Sequence, residues 1–423
     1  MKRFYTTPER QESLKAVTRA DVFVLNVLLA VLLAAPAQAQ IFDQVIRNAL
    51  SGGCPNIDPT GSLAGRICRA GAQPSAPGAS GGSTTSLSRE IIPIEEGRKL
   101  QQKLGPINLY ISGEYERFDK DVTKFEPGYK TNTGRALIGA DYAFGDRVVL
   151  GGALKYSHDN GKFDSQPPIF DPDSGLFVPI PRGRFDTDSY GGLLHATFVP
   201  APNSFVDTSF GYMRKSYFIR RGVAVAEGDF NATGTADGDT DGNEFNVEVN
   251  GGYNFTFQNI IVGPRVGLNY RRTEIDGYAE RRRLLSGVRT AIDIDGIFRD
   301  MPGTGLELVY NDQRENTLTG VLGMYGSIAI STGFGVLIPQ TTLEYIHEFL
   351  DPQRKITFSF LDDLNRTPFR FENDPPDRNY FSLGAGLVLQ LAHGIAPFIN
   401  YRALVGYKDQ RSHRVTAGLR VEF

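Results

Sequence analysis

A strict two-residue alternation of apolar and polar side chains recurs along this chain and constrains its fold more than any other feature. In residues 245–256 an aromatic, aliphatic or glycine residue alternates with Asn, Glu, Gly or Thr, and similar segments begin at residues 262 and 381. The last ten residues alternate in the same way up to Phe423. This period is typical of β-strands that have one apolar and one polar face.

The same template predicts twelve strands, and the connections between them alternate in length. The strands start near residues 107, 133, 147, 187, 204, 243, 260, 315, 334, 378, 395 and 412. Tight turns lie at 145–146, 200–203, 258–259, 331–333 and 393–394, and long polar loops at 119–132, 159–186, 218–242, 274–314 and 350–377. Only the last connection, at 408–411, breaks the pattern because it is short.

An even number of strands, with short turns at one end and long loops at the other, predicts an all-β, twelve-stranded antiparallel outer-membrane barrel. A soluble sandwich or propeller would also alternate, but it has no reason to place its long loops at one end. The strands are roughly 12 to 15 residues long, compared with the ~9 to 11 residues that cross a bilayer when tilted. Closing the sheet into a barrel gives every backbone N–H and C=O group within the lipid a hydrogen-bond partner.

Composition agrees with a membrane barrel. Mean hydropathy is negative, at −0.25, because half of each strand faces water. Tryptophan is absent, so the interfacial girdles must contain tyrosine and phenylalanine. The candidates near strand ends are Tyr142, Tyr156, Tyr190, Phe198, Tyr212, Tyr253, Phe255, Tyr270 and Tyr345. A formal net charge of −3 argues against nucleic acid as a partner.

The N-terminal residues 1–39 indicate export. Residues 22–35 form an apolar run, and the A-x-A site that follows predicts cleavage after Ala39. A membrane anchor would need a longer run, of roughly 20 residues. We therefore expect a signal peptide and a location in the outer membrane of a Gram-negative bacterium.

Three short segments are predicted between the signal peptide and the barrel domain at 106–423. Residues 40–70 contain Cys54 and Cys68, which in an exported protein favour a disulfide, with two free thiols or a metal pair as the alternative. Residues 71–92 form a flexible linker rich in Ala, Pro, Ser and Gly. A short α-helix is predicted at 93–105, between Pro93 and Gly105, either as a solvated spacer or inside the lumen.

From about residue 90 onwards the chain resembles the C-terminal β-barrel translocator domain of autotransporters, the type V secretion family. The matching stretches are 140–142, 149–156, 238–243, 275–278, 329–332, Pro339 with 343–348, and 418–423. The resemblance implies a twelve-stranded barrel with a helix threaded through its pore. It also implies that Leu419, Val421 and Phe423 form the signal read by the barrel-assembly machinery.

The chain departs from this family at its N-terminal side, where typical members carry a long passenger. Only residues 40 to about 90 are available here. The segment before the barrel also lacks the Asn-Asn pair that some relatives use for self-cleavage. We therefore expect the short N-terminal segment to stay attached.

Two further motifs suggest other chemistry. Asp237, Asp239 and Asp241, with Gly242 and Glu248, satisfy the EF-hand spacing, but the period-two segment after them favours a solvated acidic loop over a calcium site. The run 281–283 is three arginines, either a solvated surface or a lipopolysaccharide contact.

No enzymatic activity, catalytic residue, cofactor or metal is expected. Of the five histidines, only His195 is predicted to point inward from the middle of a strand. No G-x-S-x-G sequence lies among the strands to indicate a hydrolase.

The two-residue alternation along each strand predicts which charged residues face the lumen. The inward bases are Lys155, Arg265, Arg402, Arg414 and Arg420, and the inward acids are Asp141, Asp207, Glu248, Glu344 and Glu422. Their near balance predicts paired charges that hydrate the pore or hold the helix, and not a strongly ion-selective channel. Pro264, Pro339 and Pro397 lie within strands and predict local bulges.

Two functions fit these predictions. In the first, the barrel translocates its own short N-terminal segment and anchors it at the cell surface. In the second, it is a passive pore or a structural barrel with no secreted passenger. The expected partners are outer-membrane lipid and lipopolysaccharide, periplasmic chaperones and the barrel-assembly machinery, and the barrel is expected to be a monomer.

Overall fold

The computed structural model describes residues 107–422, except 124–125, 146, 171–174, 202, 228–229, 258, 285–306, 333–334, 351–354, 362 and 392–393. Side chains are also left undescribed at 225–227, 230–232, 282–284, 331 and 422. The predicted signal peptide 1–39, the segments 40–70 and 71–92, the helix 93–105, the Cys54–Cys68 pair and Phe423 therefore lie outside the described residues. Within the described ranges, no helix is long and apolar enough to cross a membrane.

Twelve long strands form the main sheet. They are β1 (Ile107–Lys120), β2 (Tyr129–Phe144), β3 (Val148–Phe163), β4 (Arg184–Phe198), β5 (Ser204–Glu227), β6 (Phe230–Tyr253), β7 (Ile260–Ile275), β8 (Gln313–Ile328), β9 (Gly335–Glu348), β10 (Asn379–Gln390), β11 (Ile395–Val405) and β12 (Gln410–Glu422). Each strand pairs with the next in antiparallel orientation.

The last strand pairs with the first, from Asn108 opposite Glu422 to Lys120 opposite Gln410. This pairing closes the sheet into a twelve-stranded antiparallel barrel and confirms the predicted fold. We call the β12–β1 junction the seam.

The barrel wall has the reverse polarity of a soluble protein. On β1, Leu109 and Ile111 are 46% and 54% exposed, whereas Glu116 and Lys120 are 1% and 4% exposed. Aliphatic side chains point away from the barrel and charged ones point into it. A surface of this kind suits a lipid environment, because an outward apolar band is favourable where it contacts lipid and unfavourable where it contacts water.

Short turns join the strands at one end, the turn end, and long connections join them at the other, the loop end. The predicted loop at 218–242 is wrong, because β5 and β6 continue through it as a two-stranded extension of the barrel wall and are 24 residues each. Polar pairs support this extension; Arg220, for example, makes two hydrogen bonds to Asp237, at 2.7 and 2.8 Å.

A four-stranded sheet, the loop sheet, forms at the loop end from the connections after β7 and β9. Its strands are Tyr278–Ala279, Leu308–Tyr310, Lys355–Phe360 and Phe369–Glu372. Leu308 and Phe360 are fully buried in its core, which also includes Val223 and Ala236 from the β5–β6 extension. Parts of two predicted loops are therefore folded.

A buried ion pair lies beside this core. The Arg221 guanidinium donates two hydrogen bonds to the Glu280 carboxylate, at 2.9 and 2.6 Å. Burial alone would lower the pKa of Arg221, but the charge of Glu280 raises it above its ordinary value. Burial raises the pKa of the nearby Tyr310 hydroxyl.

The described outward face carries a ring of six tyrosines, one on each odd-numbered strand, which we call the tyrosine ring. Tyr115, Tyr156, Tyr212, Tyr270, Tyr345 and Tyr401 hydrogen-bond Asn132, Asp188, Asn243, Asn316, Asn379 and His413 on the following strand, at 2.5 to 3.2 Å. Tyr142, Phe198, Tyr253 and Phe255 are exposed near the turn end. Two aromatic girdles of this kind mark the two interfaces of a membrane.

The predicted bulges at the strand prolines are wrong. Pro264 pairs with Met324 and Pro339 with Leu387 in an unbroken register. On its other side, each proline faces a break in the hydrogen bonding to the neighbouring strand. This holds for Pro264, Pro339 and Pro397. The missing N–H is thus tolerated without inserting a residue.

Candidate functional site

The inward face of the barrel is the candidate site, and its densest charge cluster lies at the seam. We call this cluster the seam network; it consists of Glu114, Glu116, Arg135, Ser412 and Arg414. Arg414 lies 3.1 Å from Glu114 and 3.2 Å from Glu116. Arg135 pairs with both carboxylates, at 2.8 Å from Glu116, and the Ser412 hydroxyl donates to Glu116 at 2.6 Å. Two acids and two bases from three strands therefore neutralise each other.

A second cluster lies nearer the turn end. Arg420 Nη2 is 3.7 Å from Asp141 Oδ2, and the Asn108 amide also donates to Asp141. His195 lies 3.1 Å from the Tyr110 hydroxyl. The inward histidine is therefore part of a packed polar layer.

The opposite wall contains a third group of charges. The Lys215 ammonium lies 2.7 Å from the Glu244 carboxylate, and both side chains are less than one-fifth exposed. Lys155 and Arg271 are close enough to act on the same carboxylate. Acidic and basic side chains are therefore paired on this wall, as they are in the seam network.

Arg265 is held between two aromatic rings. Its guanidinium carbon lies 4.9 Å from the centre of the Phe205 ring and 4.4 Å from that of Tyr325, a cation–π arrangement. The neighbouring Asp207 accepts a hydrogen bond from Thr197 at 2.6 Å.

The remaining residues predicted to face the lumen are placed as follows. Glu248 is buried and accepts a hydrogen bond from Asn250 at 2.5 Å. Glu344 is buried, Arg402 is half-buried opposite Arg414, and the Glu422 side chain lies outside the described residues.

Five further charged residues that face the lumen were not predicted from the sequence: Glu114, Glu116, Arg135, Lys215 and Glu244. All five occupy inward-facing positions of their strands, so the same two-residue alternation could have identified them.

One long connection crosses the barrel at the loop end. Asp374, in the segment between β9 and β10, accepts hydrogen bonds from Lys120 at 2.6 Å and Thr123 at 2.7 Å, beside β1. The same connection contributes Phe360 to the loop sheet, which packs on β5 and β6. It therefore links two parts of the rim that lie several strands apart.

The three aspartates of the EF-hand-like motif lie within β6. Asp237 is paired with Arg220, Asp239 with Arg281 at 2.7 Å, and Asp241 with Arg214 at 3.2 Å. Their carboxylates are therefore engaged by guanidinium groups. Across the described residues, no group of three or more His, Cys, Asp or Glu side chains could hold a metal ion.

The terminal strand places Leu419 and Val421 on the outward face, opposite Ile111 and Leu109 of β1. Leu419 is 37% exposed and Val421 is half-buried.

A closed barrel with an apolar exterior, two aromatic girdles and a charge-paired interior defines a class, the outer-membrane β-barrel proteins. Within that class, residues 109–402 match the family described as Autotransporter beta-domain. The chain therefore belongs to the autotransporter β-domain family, whose members are barrels of the Gram-negative outer membrane.

The comparison with solved structures supports this fold. The chain is similar to the translocator domain of the autotransporter NalP from Neisseria meningitidis, with a TM-score of 0.55 and 14% identity, covering 79% of this chain and 94% of that one. It also matches the transport unit of the autotransporter AIDA-I from Escherichia coli, with a TM-score of 0.47 and 13% identity over 77% and 92% of the two chains. A search of curated proteins finds no match.

Proposed function

We propose that this barrel is an autotransporter-like translocator that carries its own short N-terminal segment through the outer membrane and anchors it at the cell surface. The observation behind the proposal is a closed, lipid-facing barrel of the autotransporter β-domain family with a polar, charge-paired interior. Residues 1–39 direct export, residues 93–105 occupy the lumen, and residues 40–92, with a Cys54–Cys68 disulfide, form the displayed segment. The barrel acts as a monomer.

The paired charges support a polypeptide conduit more than an ion-selective pore. A wall of alternating acids and bases stays hydrated but has no strong field of one sign. The connection that joins Asp374 to Lys120 and contributes two strands to the loop sheet also argues against a wide, open passive pore.

Accessibility of a tag tests the proposal directly. An epitope placed after Ala39 should be labelled on intact cells. A tag beside Leu364, which is 99% exposed at the loop end, is the positive control, and a tag in the turn at Gly145 is the negative control. Labelling of the N-terminal tag only after the outer membrane is opened would refute surface display.

Single-channel conductance tests the occupant of the lumen. Deletion of residues 40–106 should raise conductance, because the segment proposed to fill the pore is removed. An unchanged conductance would favour the alternative of a passive or structural barrel.

A further inference from the structure

The tyrosine ring fixes the depth at which charged outward side chains meet the membrane. Below the ring, the outward residues of β1 are aliphatic or glycine up to Gly113; above it, the next outward residue is Arg117. Tyrosine hydroxyls prefer the interface, where the ring stays in lipid and the hydroxyl reaches polar groups. The charges immediately above the ring therefore lie at the level of the lipid headgroups.

Three of these charges form a basic cluster at the seam, which we call the basic seam patch. Arg117, Lys130 and Arg411 come from β1, β2 and β12, and their side chains are 58%, 53% and 62% exposed. Asp119 lies at the centre, 3.5 Å from both Arg117 and Lys130. Arg411 pairs with Asp121 at 2.8 Å. Three cations thus share two carboxylates.

Two other charged sectors of the described outward rim have more acids or fewer bases than the seam. The rim of β4 to β6 carries five aspartates, Asp186, Asp188, Asp237, Asp239 and Asp241, which outnumber the four arginines paired with them. On β7 and β8 the outward cluster has two cations in place of three: Arg272 and Arg314, which both bind the same oxygen of Glu274, at 2.5 and 2.9 Å.

We propose that the basic seam patch binds the phosphate groups of an anionic lipid in the outer leaflet. Arginine and lysine form charge-assisted hydrogen bonds to phosphate oxygens, and guanidinium groups can do so in a bidentate manner. The ion pairs of this patch are weak enough to be exchanged, because all three cations are more than half exposed and the two contacts to Asp119 are 3.5 Å long. The proposal rests on membrane insertion with the loop end outward, and not on translocation of the N-terminal segment.

Retention of lipid by the full-length, folded protein in detergent, measured by native mass spectrometry, tests this site. The probe is bisphosphorylated lipid A, and the comparison is the same lipid without its phosphates. The variant is Arg117→Gln, Lys130→Gln and Arg411→Gln combined. Its matched control combines Arg184→Gln, Arg214→Gln and Arg281→Gln, which change three exposed arginines of the acidic sector.

We expect the apparent dissociation constant for bisphosphorylated lipid A to rise about fivefold for each seam residue and about a hundredfold in the triple variant. The control variant and the wild type should bind alike, and the dephosphorylated lipid should bind both weakly. Equal binding by the seam variant and the wild type would overturn the proposal, as would an equal loss in the control.

Inorganic phosphate, added as a competitor, separates the two sources of phosphate. Millimolar phosphate should leave the lipid bound; complete displacement would assign the patch to free phosphate and overturn the lipid proposal. Each variant is checked for the mobility difference between folded and boiled barrel, and single Lys130→Gln and Arg411→Gln variants replace the triple if it does not fold. Loss of surface display would leave these outcomes unchanged, so the two proposals fail separately.

Discussion

Removal of Arg414 from the seam network should destabilise the barrel strongly. The Arg414 side chain is 6% exposed, and its partners Glu114 and Glu116 are 5% and 1% exposed. Breaking a buried ion pair by removing one partner costs roughly 3–5 kcal/mol. Because Arg135 remains close to both carboxylates, we expect Arg414→Gln to lower the free energy of unfolding by about 3 kcal/mol, the lower end of that range.

The measurement is urea unfolding of the barrel in detergent micelles, followed by circular dichroism and by the mobility of folded and unfolded forms in electrophoresis. The chain has no tryptophan, so fluorescence would report on tyrosine. Adding Glu114→Gln to Arg414→Gln removes the unpaired negative charge. The double variant should therefore lose less than the sum of the two single losses, by about 1–3 kcal/mol.

Arg402 provides a matched control. It lies on β11 directly opposite Arg414, on the same inward face, and is half-buried. No ion pair of Arg402 occurs among the described residues, so Arg402→Gln should change stability by less than about 1 kcal/mol. The inference that the seam network stabilises closure is wrong if Arg402→Gln lowers the free energy of unfolding as much as Arg414→Gln does. It is also wrong if neither substitution changes the free energy of unfolding.

Three further outcomes are expected. Gly139→Ala should lower the urea midpoint of the barrel, because a Cβ there would lie 2.4 Å from the Tyr110 ring, and overpacking costs about 1–3 kcal/mol; an unchanged midpoint would contradict the tight contact. Arg221→Gln should make the loop sheet sensitive to limited proteolysis while the barrel stays folded, since Glu280 loses its buried partner; equal protection of the loops would count against this. Deletion of Phe423 should reduce outer-membrane levels more than the pore activity of the folded fraction, and normal levels in fractionated cells would refute its role in assembly.

The strands and their faces could be predicted because the membrane imposes one pattern on the whole wall. An outward apolar and an inward polar residue must alternate wherever lipid is on one side and a polar lumen on the other. The inward orientation of Asp141, Arg414 and Arg420 could therefore be predicted from the sequence, and all three are buried on the inward face. The pairing of Arg414 with Glu114 and Glu116 did not follow, because it depends on the register between β12 and β1.

The β5–β6 extension could not be predicted by the same reasoning. In residues 237–242 aspartates alternate with Gly and Thr, so neither face is apolar and the segment has the composition of a loop. Above the membrane the outward face meets water, and the reason for apolar alternation is lost. The strand is instead supported by cross-strand partners such as Arg220 for Asp237 and Arg281 for Asp239, which a single segment cannot reveal.

The change of solvent along the barrel axis also explains the loop sheet. Below the tyrosine ring, aliphatic residues such as Ile111 face outward; beyond the loop end, Leu308 and Phe360 are fully buried. The loop sheet therefore follows the rule of a soluble protein, with an apolar core and with a buried charge, Arg221, paired to Glu280. Since one chain obeys opposite rules on the two sides of the ring, the ring marks the boundary between lipid and water at the loop end.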